Sequence, residues 1–171
     1  IGNHLQELKE LLLGVALLEE LNDLIYAKIL AFGELLSSTI FNAYLSQSIQ
    51  SKLIYSYEFI KTNSNFKEAS VDFEQTYNNI TDKLLPIFND KQVIVCQGFI
   101  GSDSKNYTAL LGRGGSDYSA AIYGAGLNAD DIQIWTDVSG VMSADPRKIS
   151  DAKTINNMSA FELAELSYFG A

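Results

Sequence analysis

The residues best suited to chemistry lie in one short loop, Gly112 to Asp117, between a predicted strand and a predicted helix. Arg113 sits between glycines in this loop, and it is one of only two arginines in a chain of net charge −9. A guanidinium group can bind a carboxylate or a phosphate through two parallel hydrogen bonds. Glycines let the backbone come close to a ligand, and the N–H groups that begin the next helix favour an anion. The loop therefore predicts an anion-binding site.

The spacing within this loop excludes two common phosphate-binding motifs. It is neither Gly-x-x-x-x-Gly-Lys-Ser/Thr nor Gly-x-Gly-x-x-Gly. Ser116 is predicted to be the N-cap of the following helix, with Asp117 in the first turn. An ordinary capped turn would account for these two residues, and a surface ion pair is the usual fate of an arginine. Neither explains an arginine embedded between glycines, so the loop favours a ligand.

A second loop, Trp135 to Arg147, carries the other arginine and follows the apolar strand residues Ile132–Ile134. Ligands of open α/β sheets bind at the carboxyl ends of strands, so this loop is also well placed. Asp137 could cap a helix, hold a ribose hydroxyl or contact a metal ion, and the turn at Asp145 and Pro146 is expected to aim Arg147. A protein kinase is excluded, because no His-Arg-Asp catalytic loop accompanies the Asp-Val-Ser-Gly of this segment.

A third feature is Glu34, which follows Gly33 inside an otherwise apolar helical face. Taken alone, it is interpreted as a carboxylate near a helix N-terminus, where the helix dipole favours negative charge.

The elements that must position these residues follow from the pattern of apolar side chains. Residues 4–48 show helical spacing, with Gly14 and Gly33 as the expected joints between two or three helices. After residue 50 strands and helices alternate, which favours an α/β domain with a mostly parallel sheet. The predicted strands are 53–57, 59–60, 92–98, 106–111 and 131–136, and the predicted helices are 72–85, 116–127 and 159–169. The expected organisation is one partial domain, with a helical segment 1–50 and an α/β segment 51–171.

Composition narrows the class of protein. A content of 47% hydrophobic and 19% charged residues is typical of a globular domain. The net charge of −9 argues against nucleic acid and anionic membranes as partners. No signal peptide, membrane span or zinc-type Cys/His cluster is predicted, and the lone Cys96 suits a reducing, cytoplasmic setting. Cys96 is expected to be a buried core thiol, and His4 a solvated side chain near a cut end.

Four motifs, in order, are similar to those of aspartate kinases, a family with the amino acid kinase fold. They are Gly33-Glu34-Leu35-Leu36-Ser37, Gly98-Phe99-Ile100-Gly101, Leu111 to Asp117, and Trp135 to Arg147. The closing segment 162–171 is also similar, and from Val93 onward the resemblance is close to continuous. It implies a three-layer αβα sandwich with a mostly parallel sheet, the carbamate kinase-like fold, present here in incomplete form.

The resemblance also implies a reaction and roles for the motif residues. Aspartate kinases transfer the γ-phosphoryl group of ATP, with Mg²⁺ bridging the phosphates, to the side-chain carboxylate of L-aspartate. The product, 4-phospho-L-aspartate, leads to lysine, threonine and methionine. The resemblance implies that Arg113 clamps a substrate carboxylate, that Glu34 holds the substrate ammonium group and that Asp117 organises catalytic lysines. Further residues implied to line the aspartate site are Gly114, Gly115 and Ser116, and those implied to face the nucleotide are Thr136, Asp137, Met142 and Arg147.

The sequence departs from the family pattern in ways that bear on activity. The amino-terminal Lys-x-Gly-Gly-Thr-Ser strand is absent, and the chain stops before the family's next lysine. The ACT domains, which would bind an allosteric amino acid and help to form a homo-oligomer, are absent as well. Ala109 and Leu110 stand where the family has threonines, and Met142 stands where many relatives have tyrosine. We therefore interpret both ends as cut ends and expect little or no activity from the chain alone.

Other functions are compatible with the same motifs. Acetylglutamate kinase, glutamate 5-kinase or uridylate kinase would share the fold, so only the site discriminates among them. Glu34 together with Arg113 fits a zwitterionic amino acid, which disfavours an acylated substrate or a nucleotide. A non-catalytic relative that only binds ligands is mildly favoured by Ala109 and Leu110. The segment 158–171 also resembles bifunctional aspartate kinase–homoserine dehydrogenases.

Overall fold

The structure, a computed structural model, describes residues 1–88, 92–136 and 140–168. The chain divides into two compact units, Ile1–Ile132 and Gln133–Ala171. Helix α6 (Ala160–Tyr168) belongs to the second unit. The elements of the first unit are, in chain order, α1 (Gly2–Leu18), α2 (Asp23–Leu45), β1 (Ser51–Leu53), α3 (Ser56–Phe59), α4 (Phe73–Asn79), β2 (Val93–Val95), β3 (Ile100–Ser102), β4 (Thr108–Leu110) and α5 (Gly115–Gly126).

Two long helices form the amino-terminal segment, as the helical spacing predicts. The predicted joints at Gly14 and Gly33 are wrong, because both glycines lie inside helices. The chain instead turns between α1 and α2, where Glu19 has a left-handed φ of 52°. The side chain of Asn22 then caps α2 by accepting a hydrogen bond from Ile25 N–H at 2.9 Å. An interior glycine costs only about 1 kcal/mol relative to alanine, so a well-capped boundary outweighs it.

Helix α1 lies at the edge of the first unit, and none of its residues is buried. Glu7 forms an ion pair with Lys28 of α2 at 2.8 Å, but both side chains are largely solvated and such pairs stabilise little. The prediction that His4 is solvated is wrong. Its imidazole is half-buried and lies edge-on to the rings of Phe32 and Tyr55, with centroids 6.2 and 6.5 Å away.

Helix α2 is long and apolar enough to cross a membrane, judged by length and composition alone. In the structure one face of it is buried, with Ala27 and Ala31 at most 1% exposed. These two residues pack against Ile100 of β3 and Leu110 of β4. Small side chains four residues apart lie on one helix face and let the helix come close to the strands. The helix is therefore a core element, and it carries Glu34.

The strands predicted over 53–57 and 59–60 are largely wrong. Strand β1 is shorter than predicted, and the short helix α3 follows it. The aromatic residues nevertheless pack: Tyr55 stacks on Tyr57 with ring centroids 5.3 Å apart, and Phe59 is only 4% exposed. Aromatic enrichment therefore indicated burial here rather than strand geometry.

The helix predicted over 72–85 is confirmed at its start and changes form toward its end. Asp72 caps α4 by accepting a hydrogen bond from Gln75 N–H at 3.0 Å. The chain then continues through a π-helical turn, Ile80–Leu84, and a 3-10 turn, Leu85–Ile87. Pro86 lies at the start of that 3-10 turn, where proline's fixed φ and missing N–H are tolerated.

The four described strands form two separate pairs. Strands β1 and β2 are parallel, with Ser51 opposite Val93, and β3 and β4 form an antiparallel hairpin, with Ile100 opposite Leu110. The strand predicted over 92–98 is confirmed only in its first half and the one predicted over 106–111 at its centre, and both are shorter than predicted. The first of them is not uniformly buried, since Val93 is 42% exposed.

Two apolar clusters hold the first unit together. The first joins α3, the π-helical turn and α5, and its buried members are Ile54, Phe59, Ile60, Ile80, Leu84, Leu111, Ile122 and Tyr123. The second joins α2 to the β3–β4 hairpin. The hairpin therefore connects the helix that carries Glu34 to the loop that carries Arg113.

The boundary between the two units falls in the segment 131–136, where a strand is predicted. That prediction is wrong, because the described residues form no strand there and Trp135 is 88% exposed. An extended segment becomes a strand only where another strand pairs with its backbone groups. Helix α6 is confirmed up to Tyr168, and it begins with reciprocal hydrogen bonds between Ser159 and Glu162. Phe169, the last residue of the predicted helix, lies outside the described residues.

Candidate functional site

The loop Gly112 to Asp117 leads directly into α5. Gly112 and Gly114 have φ values of 78° and 72°, a left-handed conformation that glycine adopts without strain. The predicted N-cap at Ser116 is wrong, because Gly114 is the N-cap and Ser116 lies inside the first turn of the helix. The left-handed turn at Gly114 starts the helix two residues earlier than a serine cap would. The Ser116 hydroxyl is consequently not used for capping.

The backbone of Phe99 holds this loop in place through three hydrogen bonds. Its N–H donates to Gly115 O at 3.2 Å and to Ser119 Oγ at 2.9 Å, and its carbonyl accepts from Leu111 N–H at 2.8 Å. Phe99 has a φ of 69°, which is strained for a residue with a bulky side chain, and these bonds hold it there. A Cβ on Gly115 would lie 2.8 Å from the Phe99 ring. The end of the turn and the start of α5 therefore depend on each other.

Gly98 joins the same turn to α2. A Cβ on Gly98 would lie 2.9 Å from Ser116 Cα, so only glycine lets the two backbones come this close. The Gly98 backbone N–H lies close enough to the Glu34 carboxylate to lower its pKa. Glu34 and the first turn of α5, which the resemblance places in one site, thus meet at a single glycine.

The Glu34 carboxylate is poorly solvated. It is half-buried, and burial raises its pKa above the ordinary value of 4.5, although the nearby Gly98 N–H partly offsets this effect. Among residues 1–88, 92–136 and 140–168, no cationic side chain pairs with it. A desolvated carboxylate is stabilised in its charged form by a nearby cation. Glu34 is therefore well suited to hold an ammonium group.

Two surface cavities, each of about 510 Å³, lie next to this turn. Glu34 lines one of them, together with Ser37, Ser38, Phe41 and residues 93–96. Arg113 lines the other, together with Tyr26, Leu30, Asn65, Lys67, Glu68, Phe99, Leu110 and Gly112. The structure thus brings Glu34 to the start of α5 but places Glu34 and Arg113 in different cavities.

The two cations of the Arg113 cavity differ in their partners. Lys67 pairs with Asp23 of α2 at 2.6 Å, and its ammonium group lies 5.2 Å from the centre of the Tyr26 ring. Arg113 is exposed and makes no ion pair with any residue that the structure describes. Arg113 is therefore the cation of this cavity that is available to a ligand carboxylate.

A buried polar network that the sequence analysis missed holds the turn in place. Gln97 is only 1% exposed, and its side chain accepts from Ser56 N–H at 2.9 Å and donates to Ser38 Oγ at 2.8 Å. The Ser56 hydroxyl in turn accepts from the Tyr123 hydroxyl at 3.0 Å. The network links α2, α3 and α5 to the residue that precedes Gly98. A glutamine at the end of an apolar run was the available signal, since buried polar groups need partners.

Cys96 lies beside this network. It is partly buried against the first apolar cluster, and burial raises the pKa of its thiol to about 11, while contacts with Ser56 and Tyr123 act in the opposite direction. The thiol is therefore protonated at neutral pH, as expected for a core cysteine rather than a nucleophile.

The remaining predicted residues are placed as follows. Asp117 is exposed in the first turn of α5, and its catalytic role stays a prediction. Thr136, Met142 and Arg147 belong to the second unit, where Met142 forms an isolated antiparallel bridge with Thr154. Asp137 lies outside the described residues. Arg147 is largely exposed, and its Nε donates to Asp145 Oδ1 at 3.1 Å.

In the described part of the chain, no group of three or more His, Cys, Asp or Glu side chains is arranged to hold a metal ion. Mg²⁺ commonly binds through one or two carboxylates together with substrate phosphates and water.

Comparison with known proteins identifies the family. The sequence matches the amino acid kinase family over residues 2–171, and the chain belongs to that family. It is similar to a bifunctional aspartokinase/homoserine dehydrogenase of Buchnera aphidicola, with 36% identity over all of this chain and 21% of that protein. It is also similar to the lysine-sensitive aspartokinase 3 of Escherichia coli, with 39% identity over 84% of this chain and 32% of that protein.

The solved structures agree. The crystal structure of E. coli aspartokinase III in complex with aspartate and ADP (R-state) is 36% identical and superposes with a TM-score of 0.93. The match covers 99% of this chain and 38% of that one. The predicted amino acid kinase fold is therefore confirmed, and the chain spans about a fifth to two fifths of the length of these relatives.

Proposed function

We propose that this chain provides the amino-acid-binding part of an aspartate kinase. The observation that carries the proposal is that Glu34 and the first turn of α5 both approach Gly98, while Arg113, on the loop that leads into α5, lines a neighbouring cavity. The two groups offer an anion for a substrate ammonium and a cation for a substrate carboxylate. The relatives named aspartokinase, one of them solved with aspartate and ADP, support the same substrate.

The proposed reaction transfers the γ-phosphoryl group of ATP to the side-chain carboxylate of L-aspartate. A carboxylate is already ionised at neutral pH, so the reaction needs no strong base. Catalysis of phosphoryl transfer rests mainly on positioning and on stabilising negative charge. Arg113 would fix one substrate carboxylate, Glu34 the ammonium group, and Gly114, Gly115 and Ser116 would line the site. Asp117 would orient catalytic lysines contributed by other parts of the protein.

The proposal includes Mg-ATP as the phosphoryl donor. The second unit supplies the residues proposed to face the nucleotide: Thr136, Asp137, Met142 and Arg147. Mg²⁺ would arrive bound to the phosphates and neutralise their charge. A cytoplasmic location, and a homo-oligomer formed through further domains, belong to the same proposal.

The direct test is calorimetric titration of the chain with L-aspartate. We expect one site with a Kd on the order of 1 mM or below, within the range of enzyme affinities for substrates. Arg113→Ala should weaken binding about tenfold or more, because a charge-assisted bidentate contact is lost. Arg147→Ala removes the same charge from the other unit and should leave aspartate affinity unchanged. Equal losses in both variants would argue against a specific role for Arg113.

A second titration tests the substrate class. N-acetyl-L-aspartate lacks the ammonium group and should bind at least about tenfold more weakly than L-aspartate if Glu34 recognises that group. Preferential binding of N-acetyl-L-glutamate or of a uridine nucleotide would instead favour another enzyme of this fold.

Turnover is tested by trapping the acyl phosphate with hydroxylamine. We expect little or no product from the 171-residue chain alone, because the family's lysines are not in it. Substantial turnover by this chain would overturn that expectation.

A further inference from the structure

A second polar cavity lies at the tip of the β3–β4 hairpin, apart from the loop that carries Arg113. Its volume is about 320 Å³, and it is lined by Lys61, Gln75, Asn79, Lys83, Asp103, Ser104 and Asn106. None of these residues belongs to a motif singled out by the sequence analysis. The hairpin separates the two places, since Phe99 and Ser102 are three residues apart, about 10 Å along a strand.

Two lysines face this cavity without an ion pair. Neither Lys61 nor Lys83 approaches a carboxylate within 4.0 Å anywhere in the described ranges, in contrast to Lys28, Lys67 and Lys148. Burial lowers the pKa of Lys61 and the charge of Lys83 lowers it further, while the carboxylates of Glu58 and Asp103 act in the opposite direction. The two ammonium groups are therefore close enough to repel each other. A bound anion would remove this repulsion.

Lys61 lines the cavity, and hydrogen bonds hold its ammonium group in place. Its ammonium group donates to Tyr57 O at 3.1 Å, to Ser102 Oγ at 2.8 Å and to Asn106 Oδ1 at 3.0 Å. These three bonds use all of its N–H groups. Lys61 therefore contributes its positive field, and other groups must make the hydrogen bonds to a ligand.

Lys83 and the neighbouring amides have donors to offer. Lys83 is exposed and donates one hydrogen bond, to Asn79 Oδ1 at 2.7 Å, which leaves two N–H groups. Asn106 uses its carbonyl oxygen for Lys61, so its NH₂ group is the part left for a ligand. The side chains of Gln75 and Ser104 add a second amide and a hydroxyl to the lining. The cavity thus has several donors of the kind that bind tetrahedral oxyanions.

Asp103 is the one carboxylate in the lining, and its oxygens are already engaged. Oδ1 accepts from Lys105 N–H and Tyr107 N–H, both at 2.9 Å, and Oδ2 accepts from the Ser64 hydroxyl at 2.9 Å. The side chain is buried within the hairpin turn that it organises. It therefore fixes the position of Ser104 and Asn106 rather than pairing with either lysine.

We propose that this cavity is a binding site for a small phosphate-type oxyanion, held by Lys83 and the amide and hydroxyl groups around it in the field of Lys61. The ligand could be inorganic phosphate or the phosphoryl group of a small monoester, because both present the same oxygens. The site is independent of the proposed aspartate site.

The experiment is an NMR titration of backbone and Lys Nζ resonances with inorganic phosphate and, in a separate arm, with glycerol 2-phosphate. We expect saturable shifts at Lys83, Ser104 and Asn106 with a Kd on the order of 1 mM for at least one ligand. The arm with the lower Kd identifies the source of the phosphoryl group. Failure of both ligands to saturate by about 20 mM would overturn the proposal.

Three lysine variants test whether phosphate binding depends on Lys83 in particular or only on the positive charge of this region. Lys83→Gln should raise the Kd about tenfold or more, whereas Lys83→Arg should largely restore binding. Lys105→Gln removes the same charge from the neighbouring hairpin turn, but Lys105 does not line the cavity, so binding should persist. Equal weakening in Lys83→Gln and Lys105→Gln would mean that only the general charge matters and would overturn the site. Lys83 and Lys105 are both exposed, so each variant is expected to fold.

Discussion

The two arginine loops are built by different kinds of interaction. The loop at Gly112 to Asp117 is fixed by tertiary contacts: Gly115 packs on Phe99, and Gly98 packs on Ser116. The loop that ends at Arg147 is held within the second unit by hydrogen bonds from Ser143 N–H to Lys153 O and from Ile155 N–H to Val141 O, and Arg147 itself bonds to Asp145 two residues earlier. Arg113 thus lies on a loop held between a strand end and a helix, whereas Arg147 follows a segment that pairs with residues 153–155 of its own unit. A substitution at the contacts under the first loop should therefore lower the stability of the whole first unit, whereas a substitution at Arg147 should change stability little.

The largest effect is expected from Gly115→Ala. The new methyl group would lie 2.8 Å from the Phe99 ring and 3.2 Å from Leu111 Cβ, so Phe99 would have to move. Overpacking of this kind costs roughly 1–3 kcal/mol in the free energy of unfolding. Urea denaturation measures that loss, and aspartate affinity should fall with it.

Gly33→Ala is the matched control for Gly115→Ala. Gly33 is also a helical glycine, but a Cβ there meets nothing within 4 Å. We expect this variant to be more stable than the parent by about 0.5–1 kcal/mol, the usual gain from replacing a helix glycine with alanine. A similar loss in both variants would mean that the contact with Phe99 is not the cause.

A smaller, pH-dependent effect is expected from Glu34→Gln. The pKa of Glu34 is raised in the folded protein, so folding favours its protonated form. The stabilisation that comes from protonating Glu34 is fully present below the pKa of the residue in the unfolded chain. It is lost as the pH rises through the higher pKa that Glu34 has in the folded protein. Glu34→Gln should therefore be relatively more stable than the parent at pH 7, with the difference shrinking below about pH 4.5. Denaturation at pH 7 and pH 4 checks this, and a difference that grows toward acid pH would contradict it.

The smallest effect on stability is expected from Arg147→Gln. Hydrogen bonds from the Arg147 side chain and backbone hold the pKa of Asp145 below its usual range. Removing the guanidinium group should move that pKa upward, as followed by NMR titration of the Asp145 carboxyl carbon. Thermal unfolding should change little, because the Arg147 side chain is 88% exposed and ion pairs of exposed side chains stabilise little. A clear fall in the unfolding temperature would show that the second loop also rests on long-range contacts.

The parts that could be predicted from the sequence depend on neighbouring residues. Asp72 starts a helix because its carboxylate reaches an N–H three residues on, and Gly112 and Gly114 mark a loop because they can adopt positive φ. The predictions that were wrong concern features that depend on residues far away in the chain. The helix starts at Gly115 rather than after a cap at Ser116 because Phe99 packs there.

The contrast between contacts near and far in the chain also explains which features of the site the sequence analysis missed. Gln97 owes its role to Ser38 and Ser56, which lie 59 and 41 residues away in the chain. Glu34 gained its significance from Gly98, which no helical pattern could bring to it. The resemblance to a family joined Glu34 and Gly98 to the glycine-rich loop as parts of one set of motifs, whereas spacing alone gave Glu34 and the two arginine loops as separate features, and neither gave Gln97.

The two strand pairs should form on different timescales during folding. The hairpin of β3 and β4 closes a short loop, and hairpins of this kind form in about 1–10 μs. Strands β1 and β2 lie about 40 residues apart in the chain, so their parallel pairing must wait for a much larger loop to close. The turn that carries Gly98 and the start of α5 can therefore take shape early. Glu34 would reach it only when α2 docks, which makes completion of the amino-acid site a late event in folding.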